Sequence, residues 1–182
     1  MAFYDNFEDD ERAELYKLFA GLFIKEPEDG TLVQFKDMFQ MEFNETSHEI
    51  RMDFARLFSG HGVRVKPFES IYNYSYGDRP KLWGNTTKAV QSFYRSEGLV
   101  ISEELNPVPD HISIELVFMS YLIEKGLAEQ QKKFMEEHIL KWIPDCCDDI
   151  AKHAQTAFYK EICELLKDFI ESDYDALVAN SE

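Results

Sequence analysis

The chain has 182 residues, 45% of them hydrophobic and 14% aromatic, with 19 Lys+Arg against 35 Asp+Glu and a formal charge of −16. That length buries a full core without staples, and that composition excludes disorder. An acidic surface of this size repels nucleic acid and anionic lipid and attracts basic ligands, so neither a nucleic-acid partner nor stable membrane insertion is expected.

Three cysteines, two of them adjacent (Cys146-Cys147), form no disulfide framework, and a reducing, cytosolic compartment is expected. The stretch Met1-Ala2-Phe3-Tyr4-Asp5 lacks the basic and apolar regions of a secretory signal. No apolar run approaches the roughly 20 residues that span a bilayer.

Helical periodicity dominates from the start. Leu15, Leu18, Phe19, Leu22 and Phe23 fall on one helical face, with Asp9 or Asp10 as cap. A second helix is expected from Thr31, carrying Leu32, Phe35 and Phe39. A third begins near Thr46 or Ser47, buries Ile50, Phe54, Leu57 and Phe58, and stops at Gly60. Residues 60–85 read as loop or short irregular structure, long for a connection inside a domain, and such loops are functional or mobile. Helix returns over 86–96, closed by Gly98, followed by a Pro-bearing loop over 99–108. The next helix runs from Pro109 to about Lys125, and Gly126 ends it. Another covers roughly 127–142 and breaks before Pro144. The last spans about 156–172, with Phe158, Ile162, Leu165, Leu166, Phe169 and Ile170 on one face, and 173–182 reads as frayed. The expected fold is all-α, a single-domain helical bundle over 1–182 with the long loop at about 60–85.

The segment Asn106-Pro107-Val108-Pro109-Asp110-His111-Ile112 joins a Pro-stiffened loop to a helix that is apolar almost all round. His111 and Glu115 are spaced i, i+4 and share a face. A buried carboxylate is costly without a partner, so either the pair is mutually satisfied or it lines a cavity. Structurally, Asp110 favours the positive helix N-terminus and His111 bonds Glu115. As general acid and base the set lacks a nucleophile or metal nearby in sequence.

Metal and nucleotide signatures are weak or missing. A di-iron bundle needs two Glu-x-x-His pairs; Glu45…His48 is one, and Met135 stands where Glu is needed before His138. Cys146-Cys147 with His153 lacks zinc spacing, and the two thiols read as packing. No phosphate-cradling Gly motif is present, and Ser70 has no nucleophile elbow around it. No metal, cofactor or catalytic residue is expected. The aromatic loop (Phe68, Tyr72, Tyr74, Tyr76, Leu82, Trp83) either forms a local mini-core or lines a peptide groove. An apolar groove on an acidic body suits a peptide with cationic residues beside an apolar stretch.

Three ordered blocks carry a family resemblance. The first is Phe54-Ala55-Arg56-Leu57-Phe58, with Pro67-Phe68-Glu69-Ser70-Ile71-Tyr72 and Leu82-Trp83-Gly84. The second is Asn106-Pro107-x-Pro109-Asp110-His111-Ile112-x-x-Glu115-Leu116-x-Phe118-Met119. The third is His138-Ile139-x-x-Trp142-x-Pro144, then Ala157-Phe158-Tyr159. Together, over about residues 12–172, the chain resembles the TorD/DmsD/NarJ-type redox-enzyme maturation chaperones. The resemblance implies an all-helical, non-enzymatic cytosolic protein. It would bind the twin-arginine signal peptide, or an N-terminal remnant, of a molybdoenzyme catalytic subunit and assist cofactor insertion before export. It places Tyr72, Leu82, Trp83, Asp110, His111 and Glu115 at the binding site. In that scheme Asp110 and Glu115 pair the arginines, His111 orients Asp110 or bonds the peptide backbone, and the others take the apolar stretch. Some members of the family form domain-swapped dimers, for which the loop at 60–85 is a hinge, so monomer and dimer both stay open. The rival readings are an all-α metal-dependent hydrolase using Asp110, His111 and Glu115, and a generic helical adaptor indifferent to arginines.

Overall fold

A computed structural model describes residues 7–60, 62–77, 79–101 and 108–179. Helix α1 (Asp9–Ile24) opens with Asp9, Asp10 and Glu11, whose charges favour the positive helix start. Its cap is Glu8, one position before the expected aspartates, and the Glu8 N–H donates to Glu11 Oε2 at 3.0 Å. Helix α2 (Asp29–Phe39) begins two residues before the expected Thr31 and ends at Gln40 in a left-handed conformation. Helix α3 (Ser47–Phe58) is started by reciprocal bonds between Thr46 and Glu49. Helices α4 (Glu69–Tyr72) and α5 (Asn85–Ser96) follow.

Helix α6 (Ile112–Glu124) lies along α1, with Ile112, Leu116, Met119, Leu122 and Ile123 buried. It starts at Ile112, not at Pro109. Pro109 and Asp110 form the preceding turn, closed by the His111 N–H on the Val108 carbonyl at 3.1 Å.

Helix α7 (Ala128–Phe134) passes through a π turn (Met135–Ile139) directly into α8 (Leu140–His153), with Pro144 inside α8. The expected break before Pro144 is absent. An interior proline costs about 3 kcal/mol through its missing N–H and its ring. Here burial of Trp142, Ile143, Cys146, Cys147 and Ile150 outweighs it, since each large side chain contributes about 1.5–3 kcal/mol.

Helix α9 (Ala157–Ala179) packs on α8 and extends well beyond the expected end near 172. The extra turns are held because Asp173 is buried and accepts from Arg12 Nε at 2.6 Å and Tyr16 Oη at 2.8 Å. Leu177 is buried as well; only 180–182 of the segment read as frayed lies outside the described residues. Between α1, α2 and α9 the rings of Tyr16, Phe19, Phe35 and Phe169 pack at centroid distances of 4.8–5.7 Å. A second aromatic cluster, Phe93, Tyr94, Phe118 and Phe134, joins α5, α6 and α7. All three cysteines are free and buried.

Among the described residues the extended pairing is confined to one isolated antiparallel bridge, Phe68 with His111. It ties the long loop to the turn before α6. The Ile112 N–H donates to the Pro67 carbonyl at 3.0 Å, and the Glu69 N–H to the Asp110 carbonyl at 2.8 Å. The described parts of 60–85 are therefore pinned at their centre, and within this loop the one helical piece among the described residues before α5 is the four-residue α4.

Candidate functional site

The bridge brings the first two sequence blocks together, and His138 and Trp142 of the third meet Glu69 and Glu115 beneath it. Asp110 and Glu115 are both at 0% exposure, beneath the aromatic loop and not on the surface. Asp110 Oδ2 accepts from the Ser70 N–H at 2.8 Å, anchoring the start of α4. Glu115 Oε2 accepts from Trp142 Nε1 at 2.9 Å.

The His111 ring does not bond the Glu115 carboxyl; only the Glu115 N–H reaches the His111 carbonyl, at 3.2 Å. The ring's Nδ1 accepts from the Ser113 N–H at 3.2 Å and lies 2.7 Å from Ser113 Oγ, so the ring itself caps α6. A nitrogen that accepts carries no proton, and burial pushes the His111 pKa down to about 4 against the weaker pull of Asp110. The ring is neutral at pH 7 and stands edge-on to Phe68 at 5.0 Å.

Two residues outside the sequence-derived site complete the cluster. Glu69, fully buried, accepts from Asn73 Nδ2 at 2.6 Å, and its oxygens lie 3.0 and 3.1 Å from His138 Nδ1. His138 sits in the π turn, a register shift found often at functional positions. The Glu115 carboxyl also meets that of Glu69, and burial followed by the Glu69 charge drives its pKa well above the carboxylate range. A proton kept on Glu115 removes the repulsion of two buried anions. Asp110 Oδ1 and Ser70 Oγ have no hydrogen-bond partner among the described residues.

The aromatic loop divides in two. Tyr72 stacks on Trp142 at 6.0 Å and donates from Oη to Asp149 Oδ2 at 3.0 Å; Tyr76 stacks on His138 at 5.9 Å. Both are part-buried lid residues. Leu82 and Trp83 instead turn outward, 37% and 49% exposed, with Tyr74 at 56%. Trp83 has φ 62°, a left-handed backbone that a bulky L residue adopts only under constraint. Tyr72 and Tyr76 thus tuck down as the mini-core reading expects, while Tyr74, Leu82 and Trp83 stay exposed.

Sequence reasoning passed over Glu69, Asn73, His138 and Trp142 as site residues. The signal was available: Tyr72 and Tyr76 are four apart, as are His138 and Trp142, so one pair stacks on the other. Among the described residues no group of three or more His, Cys, Asp or Glu is arranged to hold a metal ion. No helix among them is long and apolar enough to cross a membrane.

Comparison with known proteins bears on the family and the fold. A family model described as nitrate reductase delta subunit matches residues 25–148. The chaperone protein TorD of Psychrobacter sp. (strain PRwf-1) is 32% identical over an alignment of 143 residues, covering 71% of this chain and 62% of that protein. TorD of Vibrio vulnificus (strain YJ016) is 28% identical, covering 71% of this chain and 65% of its own. TorD of Shewanella piezotolerans is 21% identical, covering 93% and 94%. Among solved structures, a protein of Archaeoglobus fulgidus assigned by its name to redox enzyme maturation superposes with a TM-score of 0.58 at 21% identity. It covers 89% of this chain and 97% of its own. That likeness concerns the fold.

Proposed function

From the premise that this chain belongs to the nitrate reductase delta subunit family of TorD-like redox-enzyme maturation chaperones, we infer that it binds the twin-arginine signal peptide, or an N-terminal remnant, of a molybdoenzyme catalytic subunit. In this reading it works in the cytoplasm, holds the client back from export and assists cofactor insertion.

The observation that carries the reading is the outward pair Leu82 and Trp83, presented on a held backbone above a chain of net charge −16. Such a surface favours a ligand that is cationic, then apolar. Leu82, Trp83 and the exposed edge of Tyr72 take the apolar stretch. Asp110, His111 and Glu115 act one layer down, holding α4 and the start of α6, while exposed acidic side chains of the body supply the attraction for arginines.

The test is calorimetric titration with twin-arginine leader peptides of molybdoenzymes encoded in the same genome, at low and moderate salt. Saturable binding that weakens with salt and collapses when both arginines become alanine supports the reading. Binding indifferent to the arginines would make the protein a general helical adaptor, and binding to no leader would remove the reading. Light scattering on the same samples separates a monomer from a swapped dimer.

A further inference from the structure

The sequence-derived site leaves open what fixes the outward pair. Leu82 and Trp83 lie between two sets of anchors. On one side the Lys81 N–H donates to the Ser70 carbonyl at 3.2 Å. On the other, Asn85 Nδ2 donates to the Tyr76 carbonyl at 3.3 Å and Thr86 Oγ1 to the Asn73 carbonyl at 3.2 Å. Each anchor leads back to one residue. Ser70 follows Glu69 in α4, Asn73 bonds the Glu69 carboxylate and the Ser75 N–H, and Tyr76 stacks on His138, which faces Glu69.

We propose that Glu69 and His138 are the positioning residues of the binding face: their buried carboxylate–imidazole contact fastens the aromatic loop to the π turn between α7 and α8 and so sets where Leu82 and Trp83 stand. This rests on the signal-peptide reading above. The π turn is what makes the contact available. His138 and Trp142, one turn apart across its exit, both face the loop and receive Tyr76 and Tyr72. The fastening holds Trp83 at positive φ, a conformation a free loop would relax. A ligand then meets a preset indole and pays less ordering entropy.

Glu69 is faced by Glu115 from α6, Asp110 from the turn before it, Asn73 and Tyr76 from the loop, Tyr94 from α5 and His138 from the π turn. Glu115 in turn is faced by Trp142 and lies near Cys146 of α8. The Glu69 side chain is therefore an acceptor toward Asn73 and His138 and a partner of a protonated Glu115. Glutamine keeps an acceptor for the first two and turns its amide toward Glu115; alanine keeps none.

The test uses the full chain carrying 5-fluorotryptophan, as wild type, Glu69→Ala, Glu69→Gln and His138→Phe. Fluorine NMR reports Trp83 and Trp142 separately; calorimetry uses a leader peptide with paired arginines before an apolar stretch; circular dichroism checks helix content. Glu69→Ala and His138→Phe are expected to lose tenfold or more in affinity with helix content intact, and to shift the Trp83 resonance toward its position in unfolded chain. Glu69→Gln is expected to stay within threefold of wild type. Adding Trp83→Ala to Glu69→Ala should cost nothing further. A lowered melting temperature with unmoved Trp83 resonance and affinity would mean a purely structural role and overturn the proposal. If Glu69→Ala does not fold, His138→Phe decides alone. Failure of wild type to bind any leader counts against the proposed function, while the Trp83 resonance still decides this inference.

Discussion

Carboxylates are buried in two parts of this molecule and kept in opposite ways. Asp53 accepts from the Gln155 and Thr156 N–H groups and Thr156 Oγ1 at 2.8–2.9 Å, and pairs with Arg56 at 2.6 Å. Asp173 has Arg12 and the Tyr16 hydroxyl. These two fix the ends of α9, and each has a cation. Under the aromatic loop, Glu69, Asp110 and Glu115 are buried together, and no Lys or Arg among the described residues pairs with any of them. A buried carboxylate without a cation lowers its cost by keeping a proton, as the raised pKa of Glu115 indicates. The first arrangement is what stability alone selects. The second spends stability to hold a loop, and it lies below the only exposed Trp of the chain.

That contrast can be broken most forcefully at Asp53. Asp53→Ala orphans buried donors at the start of α9 and is expected to cost about 2–3 kcal/mol in a denaturant melt. Leader affinity should not change; a parallel loss of binding would erase the distinction between the two regions. At Glu115 the effect is on pH. Its pKa is higher in the fold than the usual 4.5, so its stabilising share is complete below about 4.5 and lost as pH rises through the folded value. Glu115→Gln should flatten that alkaline decline, whose slope for one proton reaches about 1.4 kcal/mol per pH unit. An unchanged slope in paired urea melts would deny the proton on Glu115.

His111 works in the other direction. With its pKa down at about 4, its contribution is present above 6.5 and fades as pH falls from 6.5 to 4. His111→Ala should cost about 1 kcal/mol at pH 7, the worth of a helix cap, and less at pH 4. Smallest of all in stability is Trp83→Gly. Glycine adopts positive φ freely, so the melt should stay level or rise by up to about 1 kcal/mol while leader binding is lost. A stability loss there would show that the indole supports the fold.

The helical class was legible because burying one stripe of a helix writes a 3.6-residue period into the chain, and α1, α3 and α5 follow it within a residue or two at each end. The reading failed where distant partners decide. Pro144 looked like a stop because local geometry forbids it, yet the packing of Trp142 and Cys146 lies across the bundle. Residues 173–179 looked frayed because Asp173 is polar, and its partners Arg12 and Tyr16 come from the other end of the chain. Asp110 and Glu115 were legible as site residues but not as buried ones: nothing between 106 and 119 tells that Glu115 will meet Trp142 and Glu69. Tyr72, Leu82 and Trp83 were named together, but their division into lid and outward pair depends on which of them stands opposite α8.

The buried thiols have a practical consequence for watching this loop move. Cys146, Cys147 and Cys163 are all at 0% exposure, and burial raises the Cys146 thiol further from its reactive form. The chain thus comes with no accessible thiol in the folded state. Leu82→Cys would supply a single attachment point for a spin label or dye on the unmodified background, and the loop's motion could be followed without first removing the native cysteines.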